Sequence, residues 1–181
     1  MIKKIYKVNI LKLDHRPERD KRITTHCALV SRTFGANQFY YSGIEDEKLR
    51  NGIEKISKKW GGDFKVNYLT TPLSFVRKFK LEKDSIVIHL TMYGMPVSKV
   101  IPKIKLNKNI LFIVGGPKVP RAYYEVADYN VSVTNQPHSE VAALAISLYL
   151  LDPEKLDQND YEGSNIQIIP NANGKNVINL K

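Results

Sequence analysis

An α/β fold, with a mostly parallel sheet and helices on both faces, follows from three features of this 181-residue sequence. Apolar, β-branched runs alternate with stretches of helical periodicity, as they do when crossover helices join parallel strands. Two of the runs, residues 85–90 (SIVIHL) and Asn109–Val114 (NILFIV), are almost continuously apolar. Strands that read this way are covered on both faces. The last three strands also run into loops carrying glycine or polar groups, where open α/β sheets hold ligands.

The first strand spans residues 5–13 (IYKVNILKL) and alternates at its centre. Pro17 suits the first turn of a helix reaching about Phe34, and Gly35 suits its end. A short aromatic strand covers 38–42. Leu49, Ile53, Ile56 and Trp60 share one face of a helix over 45–60 that stops at Gly61-Gly62. Residues 64–69 read as a strand, 72–79 as a short basic helix, 85–90 as a buried strand, 96–104 as a helix and 109–114 as another buried strand. Residues 129–134 (YNVSVT) close the series. The loop from Asn135 to Glu140 then opens a helix of small and apolar residues that must be buried. Asn135 is its expected cap, and Pro137 its expected start. Residues 1–151 form the main domain, 152–164 an acidic linker, and 165–181 a hairpin turning at Asn173-Gly174. A lone hairpin is marginal in water, so this one is expected to pack on the main domain or on another subunit.

The net charge of +10 is unevenly spread. Residues 1–35 hold nine Lys and Arg against three acids, whereas residues 122–162 hold eight acids against Lys155 alone. Clustered cations suit a polyanionic partner. No apolar run reaches the roughly 18–20 residues of a membrane span. The N-terminus lacks the apolar block of a signal peptide, so the protein is expected in the cytoplasm without a membrane partner. A single cysteine, Cys27, excludes an internal disulfide and a cysteine-rich zinc site, and no metal is expected. Its apolar neighbours make it a buried structural thiol.

Two groups of residues carry chemistry. The strand ends at Leu90, Gly115-Gly116 and Thr134 lead into loops at one sheet edge, although neither a dinucleotide fingerprint nor a Walker sequence is present. Gly115-Gly116 lets backbone approach a ligand; turn chemistry accounts for it equally well. The second group is N-terminal. Arg16, Arg19 and Arg22 recur every three residues, near one helical face, with His15, Thr24, Thr25 and His26 beside them. The planar fork of arginine matches phosphate, so Arg16, Arg19, Lys21, Arg22 and His26 are the candidate contacts to a phosphate-bearing partner.

The segments HRPERDKRITTH (His15 to His26), RTFGA (Arg32 to Ala36), KKWGG (Lys58 to Gly62), HLTMYG (His89 to Gly94), GGPKVPR (Gly115 to Arg121) and ADYNVSVTNQPHSEVAALA (Ala127 to Ala145) together resemble the archaeal tRNA cytidine-56 2′-O-methyltransferases of the SPOUT superfamily. The resemblance spans nearly the whole chain. It implies S-adenosylmethionine as methyl donor, the ribose of cytidine 56 in the tRNA T-loop as acceptor, a homodimer, and a deep trefoil knot at the C-terminal side of the domain, about residues 85–145. It also implies a cofactor pocket from Leu90, Gly115, Gly116, Pro117, Lys118 and Val119, together with Val133, Thr134, Asn135, Gln136, Pro137, His138, Ser139 and Glu140. The chain departs from the family at Gly116-Pro117, where a small residue followed by an acid is expected. Related enzymes use an N-terminal arginine to activate the 2′-hydroxyl. Arg19 and Arg22 are the first candidates here, then Arg16 and Arg32. Guanidinium stays protonated, so its expected role is to stabilise the developing alkoxide. A base methyltransferase of the same superfamily and a non-catalytic RNA-binding module are the alternatives.

Overall fold

A computed structural model describes residues 6–116, 118–157 and 161–180, without the side chains of Asp20 and Lys21. Its centre is a six-stranded parallel sheet built from β1 (Val8–His15), β2 (Gln38–Gly43), β3 (Lys65–Tyr68), β4 (Ser85–Pro96), β5 (Asn109–Val114) and β6 (Tyr129–Ser132), in the order β3-β2-β1-β5-β4-β6. The middle strands are fully buried at Ile10, Leu11, Val87, Ile88 and Ile110 to Ile113, as their unbroken apolar runs require.

Helices cover both faces. On one lie α1 (Pro17–Thr33), α2 (Glu47–Trp60) and α6 (Glu140–Leu151), packed over Ile10, Phe39, Ile88 and Phe112. On the other lie α3 (Pro72–Lys80) and α5 (Arg121–Val126), over Leu11, Val87, Leu111 and Ile113. Successive strand residues point to opposite faces, so each buried run feeds both cores. Pro17 stands in the first turn of α1, and Asp46 caps α2 by accepting from the amides of Lys48 and Leu49.

Four local expectations are corrected. The segment after Leu90 is not a free loop: β4 continues to Pro96 and pairs with β6 a second time, Met95 opposite Val131. The helix expected over 96–104 shrinks to α4 (Val97–Val100) and one 3₁₀ turn (Ile101–Lys103), because Pro102 removes a helical donor. α5 was not expected, since its six residues are too few to display a period. Finally, α6 begins at Glu140 under a Ser139 cap, with Asn135 and Pro137 left in the preceding loop.

The acidic segment contains a 3₁₀ turn (Pro153–Asp157) and ties back to the domain, the Tyr6 hydroxyl donating to Asp152. The hairpin of β7 (Ile166–Ile168) and β8 (Val177–Asn179) roots on the end of α2, where the Asn165 amide donates to Lys59 O at 3.0 Å. Beyond that root Ile168, Val177, Ile178 and Leu180 are exposed.

Candidate functional site

Pairing brings four strands abreast at the carboxyl edge: Lys12 lies opposite Val114, Val114 opposite Leu90, and Leu90 opposite Val131. The loops that leave these positions enclose a cleft of about 340 Å³. Of the residues named for the cofactor, Leu90, Gly115, Gly116, Val119, Pro137, His138 and Glu140 line it. His89, Thr91, Met92, Tyr93, Val114, Tyr124 and Ala143 line it too and were not expected. Tyr124 sits on α5, and Thr91 to Tyr93 belong to the prolonged β4, so the two missed elements supply most of the missed residues.

The glycines of this loop do different things. A Cβ at Gly115 would lie 2.1 Å from Val119 Cγ2, so the loop curls back on itself only without a side chain there. A Cβ at Gly116 would meet only Glu140 Oε1, at 3.9 Å, and would intrude on the cleft.

The floor carries charge and an unsatisfied acceptor. Lys12 is 1% exposed; its Nζ donates to Leu13 O at 2.8 Å and lies 3.1 Å from Glu140 Oε2. This pair ties β1 to the start of α6 directly under the cleft. His89 is completely buried, edge-on to Tyr124 at 4.6 Å between ring centres. Asn130 donates from Nδ2 to Tyr124 O, so its Oδ1 faces His89 Nδ1 at 2.9 Å and accepts the proton there. Nε2 is then a bare acceptor with no partner among the described residues. Burial holds the imidazole below its ordinary value of 6.5, against a smaller opposing effect of the Asn130 contact, and this keeps it neutral at pH 7.

The remaining predicted pocket residues are distributed otherwise. Asn135 is no cap: its Nδ2 donates to Met92 O (2.6 Å), Ser132 Oγ (3.1 Å) and Gly94 O (3.4 Å), binding the two loops together. Ser139 takes the cap by accepting from Val141 N. Val133 packs into the core, while Thr134 and Gln136 are exposed beside the cleft without lining it. Lys118 lines a neighbouring cleft, and Pro117 lies outside the described residues.

Among the arginines, Arg16 immediately follows β1, with Nη1 3.7 Å from the Asp14 carboxylate. Arg19, Arg22 and His26 are exposed along α1; the Lys21 side chain is outside the described set. Arg32 is corrected: it lies at the far end of α1, 6% exposed, donating to Gly61 O at 2.7 Å and stacked on Tyr161 at 4.6 Å. A guanidinium held there serves packing. The Arg16 turn is held from below by His15, whose Nδ1 meets Thr24 Oγ1 at 2.8 Å and whose Nε2 meets Asp46 Oδ2 at 3.3 Å.

The parallel α/β fold is shared with solved methyltransferases. The SpoU methyltransferase AviRb from Streptomyces viridochromogenes, crystallised with AdoMet, superposes with a TM-score of 0.60 at 11% identity, over 86% of this chain and 60% of that one. The TrmH/SpoU tRNA modifying enzyme of A. aeolicus gives 0.61 at 16% identity, over 86% and 78%. The chain belongs to the tRNA ribose 2′-O-methyltransferase family, aTrm56, whose model matches residues 60–178. It is 44% identical over 179 residues to the tRNA (cytidine(56)-2′-O)-methyltransferase of Thermococcus kodakarensis, covering 96% of this chain and 98% of that protein. With the enzyme of the same name from Methanocaldococcus jannaschii the identity is 47% over 177 residues, covering 96% and 97%.

Proposed function

We propose that this protein transfers a methyl group from S-adenosylmethionine to the ribose 2′-hydroxyl of cytidine 56 in tRNA. The observation that carries the reading is end-to-end identity of 44% and 47% with two enzymes of that name. The cleft fits the donor: Gly116 has only Glu140 Oε1 near the place of a Cβ, so backbone there can approach a ligand closely. The residues that would hold it are Leu90, Gly115, Gly116, Val119, Pro137, His138 and Glu140. When bound, S-adenosylmethionine supplies an electrophilic methyl carbon on a sulfonium.

The chain itself aligns and polarises the acceptor. Alignment in a fixed geometry is worth roughly 7–11 kcal/mol in favourable cases. Arg16 moves ahead of Arg19 and Arg22 as the arginine that stabilises the developing alkoxide, because it alone of the three leaves directly from the carboxyl edge of β1. Its guanidinium keeps its own protons, and the 2′-hydroxyl proton passes to phosphate or water. Arg19, Arg22 and His26 extend the cationic face for the tRNA backbone.

Two further properties belong to the same proposal. A trefoil knot is supported by the double pairing of β4 with β6 and by Gly94, whose Cβ would lie 2.4 Å from Val131 N, leaving no slack between the loops. A homodimer is supported by Ala142, Ile146 and Tyr149, an apolar stripe that α6 leaves exposed. No described helix is long and apolar enough to cross a membrane, and a cytoplasmic place suits a tRNA-modifying enzyme.

Incubation of unmodified tRNA with labelled S-adenosylmethionine, followed by nucleoside mass spectrometry and position mapping, tests the reading. A 2′-O-methylcytidine at position 56 is expected; a methylated base, or no transfer, would defeat it. Arg16→Ala is expected to lower turnover at saturating tRNA by about 100-fold or more, in the range of a lost transition-state donor.

A further inference from the structure

Local preference runs against the residues that open α1. Asp14, next to last in β1, stands in a left-handed conformation (φ 57°), which residues other than glycine seldom adopt. Arg16 occupies the N-cap of α1 (φ −129°, ψ 105°) and makes no side-chain cap there. A guanidinium only donates, whereas the free amides at a helix start need an acceptor. Arg16 also sets a cation at the positive end of the helix dipole. Local conflicts of this kind collect at functional sites and persist where the surrounding structure holds them in place.

Here the hold comes from His15, which is completely buried. We infer that His15 is the positioning residue for Arg16: its imidazole fastens the turn between β1 and α1 to the neighbouring elements and so fixes the place from which Arg16 meets the acceptor hydroxyl. The inference rests on the methyltransferase reading above, with Arg16 as its arginine.

Three elements converge on the ring. Thr24, buried two turns into α1, places Oγ1 2.8 Å from Nδ1. Asp46, the N-cap of α2, places Oδ2 3.3 Å from Nε2. A carboxylate only accepts, so Nε2 carries a proton and donates to it. The other oxygen of Asp46 accepts from the amides of Lys48 and Leu49, so one carboxylate serves the helix and the imidazole together. Tyr41 of β2 stands edge-on to the imidazole at 5.5 Å between ring centres, and its hydroxyl accepts from Asp46 N at 3.0 Å. The main chain is clamped as well. His15 O accepts from Ile44 N at 2.9 Å, and a Cβ at Gly43 would lie 2.4 Å from that oxygen. His15, Thr24 and Asp46 are not among the residues lining the carboxyl-edge cleft, so the clamp acts on the arginine and not on the methyl donor.

Epistasis with Arg16 in the full-length protein separates positioning from packing. His15→Leu fills the site and removes both polar contacts; thermal unfolding checks that it folds. Turnover at saturating tRNA and S-adenosylmethionine is expected to fall about tenfold or more, since a small misplacement of a reacting group is enough for that. The KM for S-adenosylmethionine is expected to stay within about twofold of wild type. His15→Gln keeps a donor for Asp46 and is expected to regain most of the loss. In the Arg16→Ala background, His15→Leu is expected to lower turnover by no more than about twofold, because the group it positions is already gone; independent effects would multiply instead. If His15→Leu does not fold, Thr24→Val, which removes only the hydroxyl at Nδ1, carries the same comparison, with a loss of about threefold that vanishes beside Arg16→Ala. Full turnover in the folded variant, or a loss of equal size with and without Arg16, would overturn the positioning role. A wild-type protein that methylates no tRNA defeats the functional reading itself. An active wild type with an equally active Arg16→Ala leaves that reading standing and defeats only the role of His15.

Discussion

At Lys12 an ammonium group lies 1% exposed inside a parallel sheet, held 3.1 Å from Glu140. Removing one partner of such a pair strands the other charge, at a cost of about 3–5 kcal/mol when both are fully buried. Glu140 is a quarter exposed, so Lys12→Ala is expected near the lower end, about 3 kcal/mol in denaturant unfolding. Lys12→Met combined with Glu140→Gln should recover most of it, because no charge is left unpaired. His89 makes a pH-dependent contribution. Its folded value lies below 6.5, so the unfolded chain takes up the proton first. Stability is therefore complete above about pH 6.5 and declines as pH falls towards the folded value. Protonation also turns Nε2 from acceptor to donor. Thermal unfolding across roughly pH 5–8 should show stability falling on the acid side. Stability that stays level there would exclude a buried, neutral His89 as a contributor.

At the scale of the element, β4 decides the site. Its first half was legible as an apolar run. Its second half, Thr91 to Pro96, reads as a loop because Gly94 and Pro96 break any pattern, yet it pairs with β6 through Met95 and Pro96. Gly94 permits this: a Cβ there would meet Asn130 C and O at 2.5 Å and Val131 N at 2.4 Å, all backbone. Backbone cannot step aside as a flexible side chain can. Gly94→Ala is expected to destabilise the protein by at least about 1–3 kcal/mol, measured by thermal unfolding, and to weaken cofactor binding in parallel. Asn135 belongs to the same crossing. Sequence alone offers a cap for any Asn before a helix; the helix in fact starts at Glu140 under Ser139, and the Asn135 Nδ2 donates to the Met92 and Gly94 carbonyls of the neighbouring strand.

For the whole molecule, α6 is the informative helix. Its small and apolar residues indicate burial on every side, and Ala143, Leu144, Leu148 and Leu151 do pack inward. Ile146 and Tyr149 are 41% and 43% exposed. The remaining face has the character of an interface, and Ile146→Asp is expected to give a monomer in sedimentation equilibrium while wild type sediments as a dimer. A monomeric wild type would remove the stripe as the dimer surface. Cys27, by contrast, is settled by the interior: it is completely buried, and desolvation pushes its thiol up to about 12, which leaves it unreactive.

The sequence by itself determined the parallel α/β class and where along the chain the main strands and the loops after Val114 and Ser132 fall. It could do so because strand burial and turn chemistry are local, written in consecutive residues. The family followed from long specific blocks such as His15 to His26 and Asn135 to Ala145. Tertiary structure decided which of those residues work together. It places Arg32 against Tyr161, Lys118 on a neighbouring cleft, and His89 and Tyr124 beside the carboxyl-edge cleft. The reason is geometric: which loops share a wall depends on strands adjacent in the sheet but far apart in the chain, and no local pattern records that distance.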